Sequence, residues 1–466
     1  MLAPEAGPRA APHPVTPAQR ASHGTSPRCC VIGAGPCGIT AAKALLEAGL
    51  RDVVVYEKND QVGGNWLFSP EPGHSSVFET THIISSRKLS QYSDYPFPEG
   101  TPDYPGHREL RAYFQGYARR FGVDRLIRFG TTVERAEPDP AGGWRVTLAT
   151  GESERFDRLL VASGHHWDPR MPSWPGRFTG RLLHSHDFKS AAPFEGQRVL
   201  VVGGGNSACD IAVETARVSS FTGISMRRGY HFVPKFLLGI PSDELHERFL
   251  LVPRPLRVRI LGLLLRLLNG SAERYGLARP DHPFMSTHPV VNSELLYFIR
   301  HGRVHPRPDV VRLEDRDVHF ADGRVESYDA ILAATGFRIS FPFLDRSLVD
   351  FSSGPVPLYL RAFSERFPDL YFIGLFQPIG CIWPLAELQG RLVARHIAGG
   401  YRLPADLSGR IARELEHIRR TWADTPRHTV EVDYHPFRRQ LLRELGRGPR
   451  ALRPGAAGRS GSPGRG

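Results

Sequence analysis

The stretch from Arg28 to Glu57 most constrains what this chain can fold into, because it reads as a strand, a glycine-rich turn, a helix and a second strand. Cys29, Cys30, Val31 and Ile32 form a short apolar run suited to a buried parallel strand. Gly33, Gly35 and Gly38 follow in GxGxxG spacing, with Ala34, Pro36 and Cys37 between them. The first glycine permits the sharp turn, the second lets a pyrophosphate approach the backbone, and the third lets helix and strand pack closely. A helix is expected from Pro36 to Ala48, with Ile39, Ala42, Leu45 and Leu46 on one face and Gly49 past its end. Its N-terminal N–H groups favour an anion at the turn. Val53 to Val55 make the next strand. Glu57 stands at its end, about 20 residues beyond the glycines, where an acid holds ribose hydroxyls. The alternative, a glycine turn with no nucleotide, does not explain the whole pattern. An adenine dinucleotide is expected here.

A second turn of the same kind lies downstream. Arg198 to Val202 is an apolar strand, followed by Gly203, Gly204, Gly205, Asn206, Ser207 and Ala208 and a helix carrying Asp210 through to Arg217. Ala208 replaces the third glycine and is still small. Phe221 to Met226 supplies the next strand, and Arg227 and Arg228, not an acid, stand at its end. Guanidinium groups there suit the 2′-phosphate of NADP, whereas an acid prefers the bare hydroxyl of NAD. Two solvated arginines are the plainer alternative in an arginine-rich chain. One turn with Glu57 and one with Arg227 and Arg228 imply FAD plus NADPH, a pair that carries hydride from nicotinamide to flavin. No CxxC pair is present to accept electrons as a disulfide reductase would, which leaves oxygen as the common acceptor.

An internal repeat says that both units close alike. Trp144 to Ala149, a turn at Thr150-Gly151 and Asp157 lead into Leu159 to Ala162 and then Ser163-Gly164. Val318 to Phe320, a turn at Asp322-Gly323 and Asp329 lead into Ala330 to Ala334 and then Thr335-Gly336. The chain is therefore expected to be α/β, with two doubly wound, Rossmann-like dinucleotide-binding domains, the NADPH domain inserted into the FAD domain. The expected boundaries are a disordered tail over 1–27, FAD domain over 28–188, NADPH domain over 189–324, FAD domain again over 325–445, and a second disordered tail over 446–466.

At 466 residues and 41% hydrophobic, the chain has ample length for two such domains. Its net charge of +12 comes from arginines scattered among acids, with no basic block, so no nucleic-acid partner is expected. Cys29, Cys30, Cys37, Cys209 and Cys381 have no metal-ligand spacing, and His165-His166 has no further ligands nearby, so no metal is expected. Reduced thiols and the lack of an apolar leader point to a cytoplasmic protein. Leu110, Tyr113, Phe114 and Tyr117 recur at helical spacing and read as core. Ile411, Leu415, Ile418 and Trp422 make a helix that docks on the core. The leucine- and arginine-rich segment from Phe249 to Leu268 is too short and charged to span a bilayer. A helix lining the substrate entrance, a homodimer contact and a membrane-surface helix all remain open for it.

At Phe178 to Phe188 the chain resembles the flavin-containing monooxygenases. Phe178, Gly180, His184 and Phe188 match their FxGxxxHxxx(Y/F) fingerprint, and Phe188 in place of Trp favours this branch over the Baeyer–Villiger relatives. Further matches are Gly63-Gly64 with Trp66, Arg228-Gly229 with Pro234, Ala334 to Phe337, and Phe372 to Leu375 with Gln377-Pro378. The resemblance runs from about Cys29 to Tyr434. It implies that NADPH reduces FAD, that reduced flavin captures O2 as a 4a-hydroperoxide, and that a soft nitrogen or sulfur nucleophile on a small-molecule substrate takes the distal oxygen. It adds Lys58, Gly64, Asn65, Trp66, Thr335, Gly336 and Gln377 to the expected cofactor contacts. There is one departure: the family places a Thr/Ser-Asn pair where this chain has Ile83-Ile84. Ile84 and Ser85 are therefore the expected catalytic positions, with an NADPH oxidase releasing hydrogen peroxide, or a Baeyer–Villiger-type monooxygenase, as the alternatives.

Overall fold

The computed structural model describes residues 26–352, 355–421 and 430–446. The expected tails fall almost wholly outside these residues, and Trp422 does so too. β1 (Cys29–Ile32), α1 (Pro36–Glu47) and β2 (Val53–Tyr56) form the first strand–turn–helix–strand unit. α2 (His107–Arg120) buries Leu110, Tyr113, Phe114 and Tyr117, as its 3.6-residue periodicity requires. β3 (Ile127–Arg128) and β4 (Arg158–Val161) add to the same sheet. β5 (Arg181–His184), β6 (Arg198–Val202), α3 (Asn206–Ala216) and β7 (Phe221–Ser225) build the second unit. α4 (Arg254–Asn269), β8 (Val304–Arg307) and β9 (Ala330–Ala333) complete that half. The chain then returns through β10 (Leu358–Tyr359), β11 (Phe363–Ser364), β12 (Leu370–Phe372) and β13 (Gln377–Pro378). It ends with α5 (Trp383–Ile397), α6 (Leu407–Thr421), β14 (Glu431–Val432) and α7 (Tyr434–Gly446).

The first sheet has the order β10-β11-β12-β4-β1-β2-β3 and the second β5-β9-β6-β7-β8. Every strand of the second sheet lies, in sequence, between β4 and β10. The expected boundaries at 189 and 324 are corrected by this pairing. β5 and β9 both lie outside 189–324, yet β9 pairs in parallel with β5 and β6. Local pattern marks a strand but not its partner, and these partners are 130 or more residues apart.

The two units close by one device. Asp157 accepts a hydrogen bond from the Arg28 N–H at 2.8 Å, and Asp329 accepts one from the Arg198 N–H at 2.8 Å. Each aspartate thus ties the start of the closing strand to the start of the first, where an unpaired N–H would cost stability. In the first half, α1 packs on α5, where Gly390 lets the helices approach so closely that a Cβ would sit 3.1 Å from Ala41 Cα. α6 buries Ile411 and Ile418 and rests Leu415 on that core.

Candidate cofactor and substrate site

Gly33, at φ +102°, ends β1. Its Cβ would lie 2.8 Å from Ala162 O, while a Cβ on Gly38 would lie 1.8 Å from Gly33 O. The third glycine is thus required by the turn's own backbone. Gly35 caps α1 with no side-chain hydrogen bond and Pro36 at the first position, which leaves the helix N-terminus for a ligand anion. Opposite it, Gly64 sits back to back with Gly35; a Cβ on Gly64 would lie 2.8 Å from Gly35 Cα. Asn65 accepts the Ser76 N–H at 2.8 Å, and the Trp66 ring meets Trp383 edge-on at 6.0 Å. Both residues therefore brace the loop around the turn.

Glu57 is buried. One carboxylate oxygen accepts the Ala34 N–H at 2.7 Å, and the other accepts the Asn59 N–H at 2.9 Å and its Nδ2 at 2.7 Å. One of roughly four acceptor positions of the carboxylate holds the turn and two hold Asn59. Lys58 is pushed down by burial, with Glu57 opposing, and its ammonium lies 6.0 Å from the Trp167 ring. Burial lifts the half-buried Cys37 thiol to about 12, so it is a packing group.

Around this turn several buried polar atoms lack partners: Ser163 Oγ, both ring nitrogens of His165, Trp167 Nε1, His74 Nδ1 and Gln377 Oε1. Ser163 lies directly behind Gly33. Unspent donors and acceptors beside a glycine cradle and a free helix N-terminus fit a large, polar, phosphate-bearing ligand such as FAD.

The second turn differs in detail. Gly203, at φ +139°, has room for no Cβ, which would lie 2.4 Å from Ala334 O, but the Ala208 methyl clears it. Asn206 accepts the Val291 N–H at 2.7 Å, and Asp210 accepts Asn292 Nδ2 at 2.7 Å. These two residues, expected at the cofactor, hold the segment that covers the turn. Ser207 is exposed. Arg228 stands over the Tyr230 ring at 5.5 Å, and with Gly205, Asn206 and Tyr230 it lines a small cleft; Arg227 is exposed outside it. Neither arginine has an acid within ion-pair distance among the described residues. A free helix N-terminus beside unpaired guanidinium groups fits a phosphorylated dinucleotide. Thr335 donates to Arg170 O at 2.6 Å, and the Gly336 carbonyl accepts the Arg170 N–H at 2.9 Å, so this pair pins the connection between the sheets.

Ile84 and Ser85 meet residues of the second unit across an apolar cavity of about 110 Å³. Leu261, Leu264 and Leu265 of α4 form one wall and Ile379 to Cys381 another. α4 of the segment from Phe249 to Leu268 thus lines this cavity, while its Leu256, Leu263 and Leu267 face outward. No helix among the described residues is long and apolar enough to cross a membrane. The Ser85 hydroxyl is bound to Ser90 Oγ at 2.8 Å, and the Ser86 N–H donates to Asp243 at 2.6 Å. Ser85 thus shares one hydrogen bond with Ser90, in which either hydroxyl can be the donor.

Sequence reasoning missed Asp243, His246, His288 and His435, which also line this cavity. Burial holds His246 and His435 down at about 4 and raises Asp243. No local motif marks them, because each comes from a different segment.

The profile of a family described as Flavin-binding monooxygenase-like matches residues 26–453. The chain is 34% identical over 459 residues to flavin-containing monooxygenase 5 of Mus musculus, covering 91% of this chain and 84% of that protein. The chain belongs to the flavin-containing monooxygenase family. Dimethylaniline monooxygenase [N-oxide-forming] 2 of Rattus norvegicus is 34% identical over 443 residues, covering 90% of this chain and 82% of that one. Among solved structures, S-allyl-L-cysteine S-oxygenase from Allium sativum has the same fold, with a TM-score of 0.68 at 24% identity over 91% of this chain and 89% of that one. As a flavin-containing monooxygenase, the protein is an oxidoreductase that uses FAD, NADPH and O2 on a small molecule.

Proposed function

We propose that this flavin-containing monooxygenase transfers one oxygen atom from O2 to a soft nitrogen or sulfur nucleophile held in the cavity beside Ile84. The observation that carries this reading is the cavity itself, an apolar space between the two glycine-turn units. NADPH and one proton supply two electrons, the substrate lone pair supplies two more, and O2 ends as the product oxygen and one water. FAD, when bound, provides the redox chemistry between NADPH and O2. The chain's own residues do the rest. The first turn with Glu57 holds the flavin nucleotide, and the second turn with Arg228 and Arg227 holds NADPH. The leucine wall of α4 keeps water from the reacting atoms. Burial keeps His246 and His435 neutral, so neither adds cationic charge to that space, which suits an uncharged nucleophile.

Ile84 favours a second reading, an NADPH oxidase that releases hydrogen peroxide, since isoleucine offers no hydrogen bond where the family's asparagine would. The test incubates FAD-loaded protein with NADPH, O2 and either a thioether or a tertiary amine. Sulfoxide or N-oxide is expected in proportion to NADPH consumed. Peroxide as the sole product would establish the oxidase, and a product only from ketones would establish Baeyer–Villiger chemistry. A cytoplasmic location, expected from the reduced thiols, is checked by fractionation of the host cell.

A further inference from the structure

β13 and β14 pair in parallel with Gln377 opposite Glu431. Glu431 is 0% exposed, and neither of its carboxylate oxygens has a hydrogen-bond partner. Three neighbours are left in the same condition: Gln377 at Oε1, His165 at both ring nitrogens, and His288 at Nδ1. His288 Nδ1 lies 3.8 Å from the nearer Glu431 oxygen, an ion-pair distance and too long for a hydrogen bond. These groups come from four separate segments, so their meeting is a product of the fold.

A carboxylate taken wholly out of water, with no donor, is strongly unfavourable unless a proton or a counter-charge neutralises it. Among the described residues no group of three His, Cys, Asp or Glu side chains could hold a metal ion. The group that stands within ion-pair distance of the Glu431 carboxylate is His288.

The position of the pair gives it a use. His288 lines the apolar cavity beside Ile84. Glu431 borders a second, polar cavity of about 500 Å³, also lined by Arg361, Arg413 and His417. Glu431 thus borders the polar cavity and His288 the apolar one. On the remaining side stands His165, held down at about 4 by burial against the opposing pull of Glu431, so it faces the pair as a neutral ring.

We propose that Glu431 and His288 form a proton relay that supplies the proton consumed in each turnover: His288 delivers it at the cavity wall, and Glu431 positions His288 and returns a proton to it from the polar side. The proposal rests on the monooxygenase reading for its product but not for its proton. Oxygenation consumes NADPH, O2, substrate and one proton to give oxygenated product, NADP⁺ and water; peroxide release consumes NADPH, O2 and one proton to give NADP⁺ and hydrogen peroxide.

The test compares FAD-loaded wild type with Glu431→Gln, Glu431→Asp and His288→Gln. Rates of NADPH oxidation with thioanisole are followed from roughly pH 6 to 9, and a pH-indicator dye reports proton uptake in a single turnover. Glu431→Gln should lower kcat by about tenfold or more with KM for NADPH unchanged, delay proton uptake equally, and recover in part as Glu431→Asp. A readout without turnover is the ¹⁵N spectrum of the His288 imidazole, assigned by its loss in His288→Gln, which should shift in Glu431→Gln. A folded Glu431→Gln enzyme with a wild-type pH profile and an unmoved His288 signal would overturn the relay. If Glu431→Gln does not fold, His288→Gln decides: the same slowed proton uptake supports the relay, and a wild-type rate rejects it. A wild type that yields only peroxide removes the oxygenation reading, while proton uptake and the imidazole spectrum still judge the relay.

Discussion

At the scale of single residues, Arg228 and Ile84 carry the sharpest expectations. Arg228 lies in the cleft at the second turn and Arg227 outside it. A charge-assisted bond to phosphate is worth about 1.5–3 kcal/mol, which is tenfold or more in affinity. Arg228→Ala should therefore raise KM for NADPH by about tenfold or more, Arg227→Ala by less, and neither should much change KM for NADH. Steady-state kinetics with both nucleotides checks this, and equal use of the two by the unmodified enzyme would remove the assignment. Ile84 is half-buried at the cavity, and its neighbour Ser85 is already bound to Ser90. An amide at position 84 would add a donor and an acceptor, each unmet need being worth about 1–3 kcal/mol in a dry site. Ile84→Asn should lower the peroxide released per NADPH consumed, measured by oxygen return on adding catalase. Unchanged or greater leakage would mean that another group already serves.

At the scale of elements, the two glycine turns look alike in sequence and differ in tolerance. A methyl on Gly38 would lie 1.8 Å from the Gly33 carbonyl oxygen, a backbone atom that cannot retreat without dismantling the turn. Gly38→Ala should destabilise the protein by on the order of 3 kcal/mol and abolish FAD retention. Ala208 holds the matching place in α3, so Ala208→Gly should cost only about 1 kcal/mol, the usual helix penalty of glycine. Urea unfolding and the flavin absorbance of purified variants compare the pair directly. An FAD-loaded, stable Gly38→Ala protein would contradict the geometry. The GxGxxG spacing made both turns legible because it is a local code. It did not reveal that Asn206 and Asp210 face the segment at Val291-Asn292, a contact across more than 80 residues.

At the scale of the whole molecule, burial of titratable groups shapes stability against pH. His74, His165, His246 and His435 are each held down at about 4, first by burial. Below the unfolded value near 6.5 the unfolded chain takes up protons that these folded rings refuse. Stability should therefore fall as pH drops from about 6.5 towards 4. Glu154 acts in a lower window. Burial pushes its carboxyl up, but hydrogen bonds from Tyr56, Arg28 and Arg128 outweigh this and hold it at about 2. Its contribution is intact above the ordinary carboxylate value and is lost as pH falls towards 2. Urea midpoints against pH test the histidine part: replacing His246 and His435 by Gln should flatten the decline between about pH 6.5 and 4. An equally steep decline in that double variant would show that other groups govern it.

Local geometry let the sequence alone determine the two glycine turns, their strands and helices, the Asp157 and Asp329 repeat and the core face of α2. Each depends on residues a few positions apart, where backbone sterics and periodicity act directly. Only the tertiary structure decided that β5 belongs to the second sheet, that α4 walls a cavity, and that Asp243, His246, His288 and His435 share it. It alone brought Glu431, unremarkable in sequence, to a buried place beside His288. Those facts rest on pairings between distant segments, which no local pattern encodes and which are fixed only when the chain buries its apolar faces together.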